Sequence, residues 1–128
     1  MVYILIDTNI LIDVANEDLT AITRLVDEAK KAVLSVSIIT VVELIVGCRN
    51  KSELQKLNHF LSQFHYLTLN QEISDLGIQL MQEYYLSHGL MIPDSLIAAT
   101  AIDYNIALLS KNQRDYCFIP SLNLLHYP

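Results

Sequence analysis

Apolar positions along the chain fall into short unbroken runs and longer stretches in which they recur every three or four residues. Val2 to Ile6 is the first unbroken run. Its β-branched content predicts a strand buried on both faces. Ala32 to Ser37, Tyr66 to Leu69 and Ile106 to Leu109 predict three more strands, and Leu122 to Leu125 a short last one. Helical spacing separates them. From Asp18 to Lys31, residues Ile22, Leu25, Val26 and Ala29 share one face, and from Ser52 to Ser62 residues Leu54, Leu57, Phe60 and Leu61 do so. Ile38 to Val46, Gln71 to His88 and Ser95 to Tyr104 complete the helices, with a short one after Asp7. Ser37 is placed to cap one of them, Gly47 and Gly89 to end two, and Pro93 to open the last. Strands separated by helices call for right-handed crossovers. The predicted fold is α/β: a three-layer α/β/α sandwich with a mainly parallel sheet of four to five strands.

At 128 residues the chain is one domain, 1–128, without repeats, linkers or low-complexity tracts. Hydrophobic residues make up 52% and charged ones 17%. No uncharged apolar run reaches the roughly 18 residues of a membrane span, so no membrane role is expected. The start has no basic region followed by a small-residue cleavage site, which places the protein in the cytoplasm. Cys48 and Cys117 lack metal or redox spacing and are expected as reduced core residues. High apolar content with few Gly and Pro suggests a surface covered by another chain. The net charge of −6 opposes a broad basic nucleic-acid surface. The basic residues are nevertheless grouped: Lys30 and Lys31, then Arg49, Lys51 and Lys56, then Lys111 and Arg114.

Candidate chemistry rests on carboxylates. In an open parallel sheet, ligands bind beyond the carboxyl ends of the strands, where strand order reverses. Asp7 follows the first strand and is either a helix cap or a ligand at that edge. Glu43 lies in Ile38-Ile39-Thr40-Val41-Val42-Glu43-Leu44-Ile45-Val46, a helix apolar on nearly every side. Its carboxylate is either buried and compensated by a cation, which is the favoured reading, or turned out to solvent or paired with a residue such as Arg49. Asp94 opens a helix and is again a cap or a ligand. The run Leu108 to Tyr116 leads a buried strand out into Ser110, Asn112 and Asp115.

Gathered carboxylates repel one another unless Mg²⁺ or Mn²⁺ turns the repulsion into coordination. Such a centre suits hydrolysis of phosphate esters, with the cation orienting water and polarising the phosphoryl group.

Four segments carry a resemblance: Ile6-Asp7-Thr8-Asn9; Ser37 through Glu43 to Gly47; Pro93-Asp94-Ser95-Leu96-Ile97-Ala98-Ala99-Thr100-Ala101; and Leu109-Ser110-Lys111-Asn112-Gln113-Arg114-Asp115-Tyr116. In this order and over nearly the whole chain they resemble the motifs of PIN-domain nucleases, in particular the toxin ribonucleases of VapBC-type toxin–antitoxin pairs. The resemblance implies an endoribonuclease dependent on Mg²⁺ or Mn²⁺. Asp7, Glu43 and Asp94 would bind the metal, Asp115 would be a further acid, and Thr8, Ser110 and Asn112 would support them. It also implies an RNA substrate, a homodimer and a small antitoxin whose C-terminal segment blocks the site. Two positions depart from the pattern: Ser110 stands where Thr is usual, and the position two beyond it is Asn112, which leaves Asp115 as the nearest carboxylate. Lys111 and Arg114 flank the site and are candidates for RNA phosphate contacts.

Other classes fit less well. A haloacid-dehalogenase-type phosphatase wants a second Asp where Asn9 stands, a receiver domain wants an Asp at the end of Tyr66 to Asn70, and a nucleotide-binding domain wants a glycine-rich loop absent from a chain with three glycines. His59, His65, His88 and His126 have no ligand spacing and are expected as surface or packing residues. A non-catalytic PIN-like module that binds a protein partner is the remaining alternative.

Overall fold

The computed structural model describes residues 1–128. Four strands, β1 (Tyr3–Ile6), β2 (Val33–Ser37), β3 (His65–Leu67) and β4 (Ala107–Leu109), form one sheet in the order β3-β2-β1-β4. Every pairing is parallel. The helices are α1 (Thr8–Ala15), α2 (Leu19–Ala29), α3 (Ile38–Val46), α4 (Lys51–Leu61), α5 (Gln71–His88) and α6 (Ile92–Asp103), and a 3₁₀ turn covers Gln113–Asp115. None of them is long and apolar enough to cross a membrane.

Strand alternation divides the core in two. Leu5 and Leu108 point to the face covered by α5 and α6, where they meet Ile73, Leu80, Ile97 and Ala98. Ile4, Ile6 and Leu109 point to the other face and meet Ile10 and Leu11 of α1, Ala21 and Leu25 of α2, and Leu61 of α4. β1 is therefore apolar on both sides because helices cover both sides. That explains the unbroken run Val2 to Ile6 and bears out the three-layer fold.

The differences from expectation have local causes. Leu122 to Leu125 adds no fifth strand, only a single bridge between Leu124 and Leu108. β3 is a residue earlier and shorter than its apolar run. α6 begins at Ile92, three residues before the expected start, with Pro93 in its first turn, where a missing N–H is tolerated. Cys48 and Cys117 are free thiols, but Cys117 is exposed and Cys48 only half-buried, so neither is a core residue. All four histidines lie at the surface. His65 packs on Tyr3 and His88 stacks on Phe118.

α5 and α6 pack closely because Gly77 has no side chain: a Cβ there would lie 2.8 Å from Leu96 Cδ2. A single methyl can be accommodated by rotation of Leu96, whereas a branched side chain forces the helices apart. Gly77→Ala is expected to cost less than about 1 kcal/mol and Gly77→Val about 1–3 kcal/mol in urea unfolding. Equal stability of the two variants would contradict this packing.

Candidate functional site

The order β3-β2-β1-β4 means that the chain winds outward from β1 to β3 and then returns to the opposite side of β1. The switch point lies between β1 and β4, and its crevice opens at their carboxyl ends. Asp7 follows β1 and Ser110 follows β4. The Asp7 backbone N–H donates to the Leu109 carbonyl at 2.9 Å, which extends the strand pairing to the crevice floor.

Asp7 is only 4% exposed. It does cap α1, since its Oδ1 accepts from the Thr8 N–H at 2.9 Å, and its Oδ2 accepts from the Ser110 hydroxyl at 2.7 Å. The Ser110 oxygen in turn accepts the Asn112 backbone N–H at 3.0 Å, which directs the hydroxyl proton to Asp7. Burial raises the Asp7 pKa. The Ser110 and Tyr116 hydroxyls and the Thr8 N–H oppose the shift, and the charge of Glu43 adds to it.

Asp94 is not a cap. The cap position of α6 is Met91, with no side-chain bond, and Asp94 sits in the first turn with its Oδ1 accepting from the Tyr116 hydroxyl at 3.1 Å. Burial, then the charge of Asp7, push the Asp94 pKa up to about 6; the charges of Asp115 and Glu43 add smaller amounts. The phenol of Tyr116 is itself 1% exposed. Burial first, then the charges of Asp7 and Asp94, raise its pKa and keep it protonated.

Glu43 reaches the same place from α3, which packs against α1, α4 and α6. It is exposed, against the favoured buried reading and as the solvent-turned alternative has it, because Thr40 is the only fully buried residue of α3. The apolar side chains of Val42, Ile45 and Val46 are exposed with it. Its compensation is local. Thr8 Oγ1 donates to Glu43 Oε1 at 2.7 Å and lies 3.0 Å from Thr40 Oγ1. The alternative partner, Arg49, is bound to Glu53 instead.

Asp7, Glu43 and Asp94 thus lie close enough for their charges to act on one another, with Thr8 and Ser110 bonded to Glu43 and Asp7. Asn112 contributes its backbone N–H, while its exposed side chain makes no hydrogen bond. Asp115 is exposed on the 3₁₀ turn and acts on Asp94 through its charge. Lys111 is directed to Asp13, with Nζ at 2.9 Å from Oδ2. Arg114 is exposed and makes no ion pair. Tyr116 was not among the expected site residues; its signal was an aromatic residue with a hydroxyl closing the last motif.

The donor set is made of hard carboxylate oxygens, as Mg²⁺ or Mn²⁺ prefers, and burial first, with mutual repulsion added, raises the pKa of Asp7 and Asp94. No three acidic or imidazole side chains close on one point by themselves. Mg²⁺ is commonly held by one or two carboxylates with waters completing its shell, so such a centre does not require three protein ligands at one point.

Comparison with known proteins accords with this geometry. Residues 4–118 match the model of the PIN domain. The chain is 34% identical over 122 residues to ribonuclease VapC19 of Mycobacterium tuberculosis, covering 92% of this chain and 95% of that one. Among solved structures, it is similar to a chain of a toxin–antitoxin complex from Klebsiella pneumoniae, at 32% identity and a TM-score of 0.79 over 95% of both chains. It is also similar to a chain of VapBC2 from Rickettsia felis, solved bound to a DNA fragment from its promoter, at 28% identity and a TM-score of 0.82 over 100% of both. With the family model matched over nearly its whole length, this chain belongs to the PIN domain family, and within that family it is similar to the VapC proteins.

Proposed function

We propose that the protein is a Mg²⁺- or Mn²⁺-dependent endoribonuclease, the toxin of a type II toxin–antitoxin pair. The observation that carries this reading is the convergence of Asp7, Glu43 and Asp94 at the switch point of the sheet, two of them with raised pKa values. Raised carboxylate pKa values cost stability, and although Asp7 caps α1, Asp94 caps no helix, which favours an active centre over a purely protein-binding module. The carboxylates would hold the cation, which supplies activation of a water and charge neutralisation at the phosphodiester. Ser110 and Thr8 fix the orientation of Asp7 and Glu43 before substrate arrives. Arg114 is the cation available to an RNA phosphate near the site, since Lys111 is engaged with Asp13.

Two apolar surfaces support the expected partners. A groove of about 420 Å³ between α5 and α6, bordered by Ile78, Met81 and Ile92, suits a second copy of the chain. Val42, Ile45 and Val46 form an apolar rim beside Glu43 and suit an antitoxin segment that covers the site. Such a role places the protein in the cytoplasm, with its RNA substrates.

The purified protein should cleave RNA in Mg²⁺ or Mn²⁺ and stop on addition of EDTA. Asp7→Asn and Asp94→Asn should each lower the rate at least about a hundredfold while retaining the far-UV circular dichroism of the parent. Undiminished cleavage by these variants would sink the assignment. Ile78→Glu should convert a dimer to a monomer in light scattering; an unchanged mass would remove this face as the interface.

A pH experiment tests the electrostatics without substrate. The folded-state pKa of Asp94 lies above its ordinary value of 3.8, at about 6, so the proton is held more tightly in the folded state. Its contribution to stability is fully present below 3.8 and is lost as pH rises through about 6. Metal-free protein should therefore lose more stability than Asp94→Asn between pH 5 and pH 7, leaving the variant about 3–5 °C higher in Tm at pH 7. Parallel Tm–pH curves would show that Asp94 carries no such strain.

A further inference from the structure

Each of the three carboxylates has one oxygen bonded to a hydroxyl. Ser110 donates to Asp7 Oδ2, Thr8 to Glu43 Oε1 and Tyr116 to Asp94 Oδ1. The third pair differs from the others because its donor is a buried aromatic side chain, anchored in the core among Leu5, Ile97 and Leu108. The segment that carries it is fixed at both ends. Tyr116 N–H donates to the Gln113 carbonyl at 3.2 Å. The Gln113 side-chain amide donates to the carbonyls of Ser110 at 2.8 Å and Leu125 at 3.0 Å, tying the turn to β4 and to the C-terminal strand bridge.

We propose that Tyr116 is a positioning residue: its hydroxyl fixes the carboxylate of Asp94 so that the second oxygen is presented to the cation. This inference rests on the cation-site reading above. The bond from Tyr116 is the one side-chain hydrogen bond that Asp94 makes, and a carboxylate that turns freely must be ordered each time the ion binds. A rigid phenol removes that freedom beforehand, as partners in the outer shell of metal sites do. The expected fourth acid is thereby replaced. Asn112 and Asp115 point to solvent, and what the last motif contributes at the crevice is two hydroxyls, Ser110 and Tyr116.

Tyr116→Phe removes one oxygen atom and leaves the ring in the core. Titrated with Mn²⁺ alone and followed by electron paramagnetic resonance, the variant should bind about ten- to a hundredfold more weakly than the parent. Tyr104→Phe, whose lost hydroxyl bonded the Thr68 carbonyl, should bind as the parent does. In cleavage assays the Mn²⁺ concentration for half-maximal rate should rise, with kcat largely recovered at saturation. Parent-like Mn²⁺ affinity in Tyr116→Phe, with binding lost in Asp94→Asn, would overturn the role of Tyr116 and leave the site intact. Parent-like affinity in Asp7→Asn and Asp94→Asn as well would remove the cation site itself. A wild-type measurement serves where the variant does not fold: Mg²⁺ should shift the ring resonances of Tyr116 in NMR spectra, and unmoved resonances at saturation would overturn the inference.

Discussion

The buried charge of Asp7 is the constraint around which this molecule is organised. A carboxylate that is 4% exposed loses its water, and the surrounding chain must replace what water supplied. The Thr8 N–H and the Ser110 hydroxyl do so from two elements that are adjacent only because β4 returns to the side of β1. The parallel topology therefore provides more than a scaffold. It brings a residue 103 positions away into hydrogen-bond contact with the first acid of the chain. Repulsion then links the sites, since the charge of Asp7 is the largest effect on Asp94 after burial itself.

Much of this was legible in the sequence where one physical cause dominated. Val2 to Ile6 could only be a strand covered on both faces, and Ser37 does cap α3, with its hydroxyl accepting from the Ile39 N–H. Asp7 remained ambiguous between cap and ligand because it is placed to be both: one oxygen caps α1 and the other faces Ser110. A local pattern does not by itself report a tertiary environment. The apolar sequence around Glu43 suggested burial, yet Val46 is 79% exposed, since periodicity reports which residues are apolar and not whether another chain element covers them. Asp94 reads as a cap because it precedes the apolar interior Leu96-Ile97-Ala98-Ala99, but α6 starts earlier, at Ile92. Tyr116 was hidden for a further reason. Its neighbour Asp115 is the more obvious chemical group, and only the geometry of the 3₁₀ turn decides which of the two faces the crevice.

On the proposed reading an acidic chain acts on a polyanion, and the charge distribution accounts for how it does so. Five of the eight cations are engaged by acidic partners: Arg24 and Lys31 with Glu28, Lys30 with Asp27, Arg49 with Glu53, and Lys111 with Asp13. The groups of Lys and Arg that the sequence displays are thus mostly surface ion pairs, worth little individually and of little use to a phosphate. On the proposed reading, attraction for RNA comes from the divalent ion held by the acids and from few side chains such as Arg114. Affinity for the phosphate then depends on metal occupancy, which in turn depends on how firmly the carboxylates are held.

Hydroxyl donors suit that requirement better than cations would. A Lys or Arg against Asp94 would satisfy the carboxylate and compete with Mg²⁺ for its charge, whereas a neutral hydroxyl orients one oxygen and leaves the negative charge for the metal. Ser110, Thr8 and Tyr116 all meet this condition, and the ammonium group nearest in sequence, Lys111, is drawn off to Asp13 at the end of α1. The unrelieved repulsion among the acids follows from the same arrangement. On the proposed reading it is the state of a centre organised for a charge that arrives later, with β4, the 3₁₀ turn and the Gln113 bridge holding the carboxylates in place beforehand.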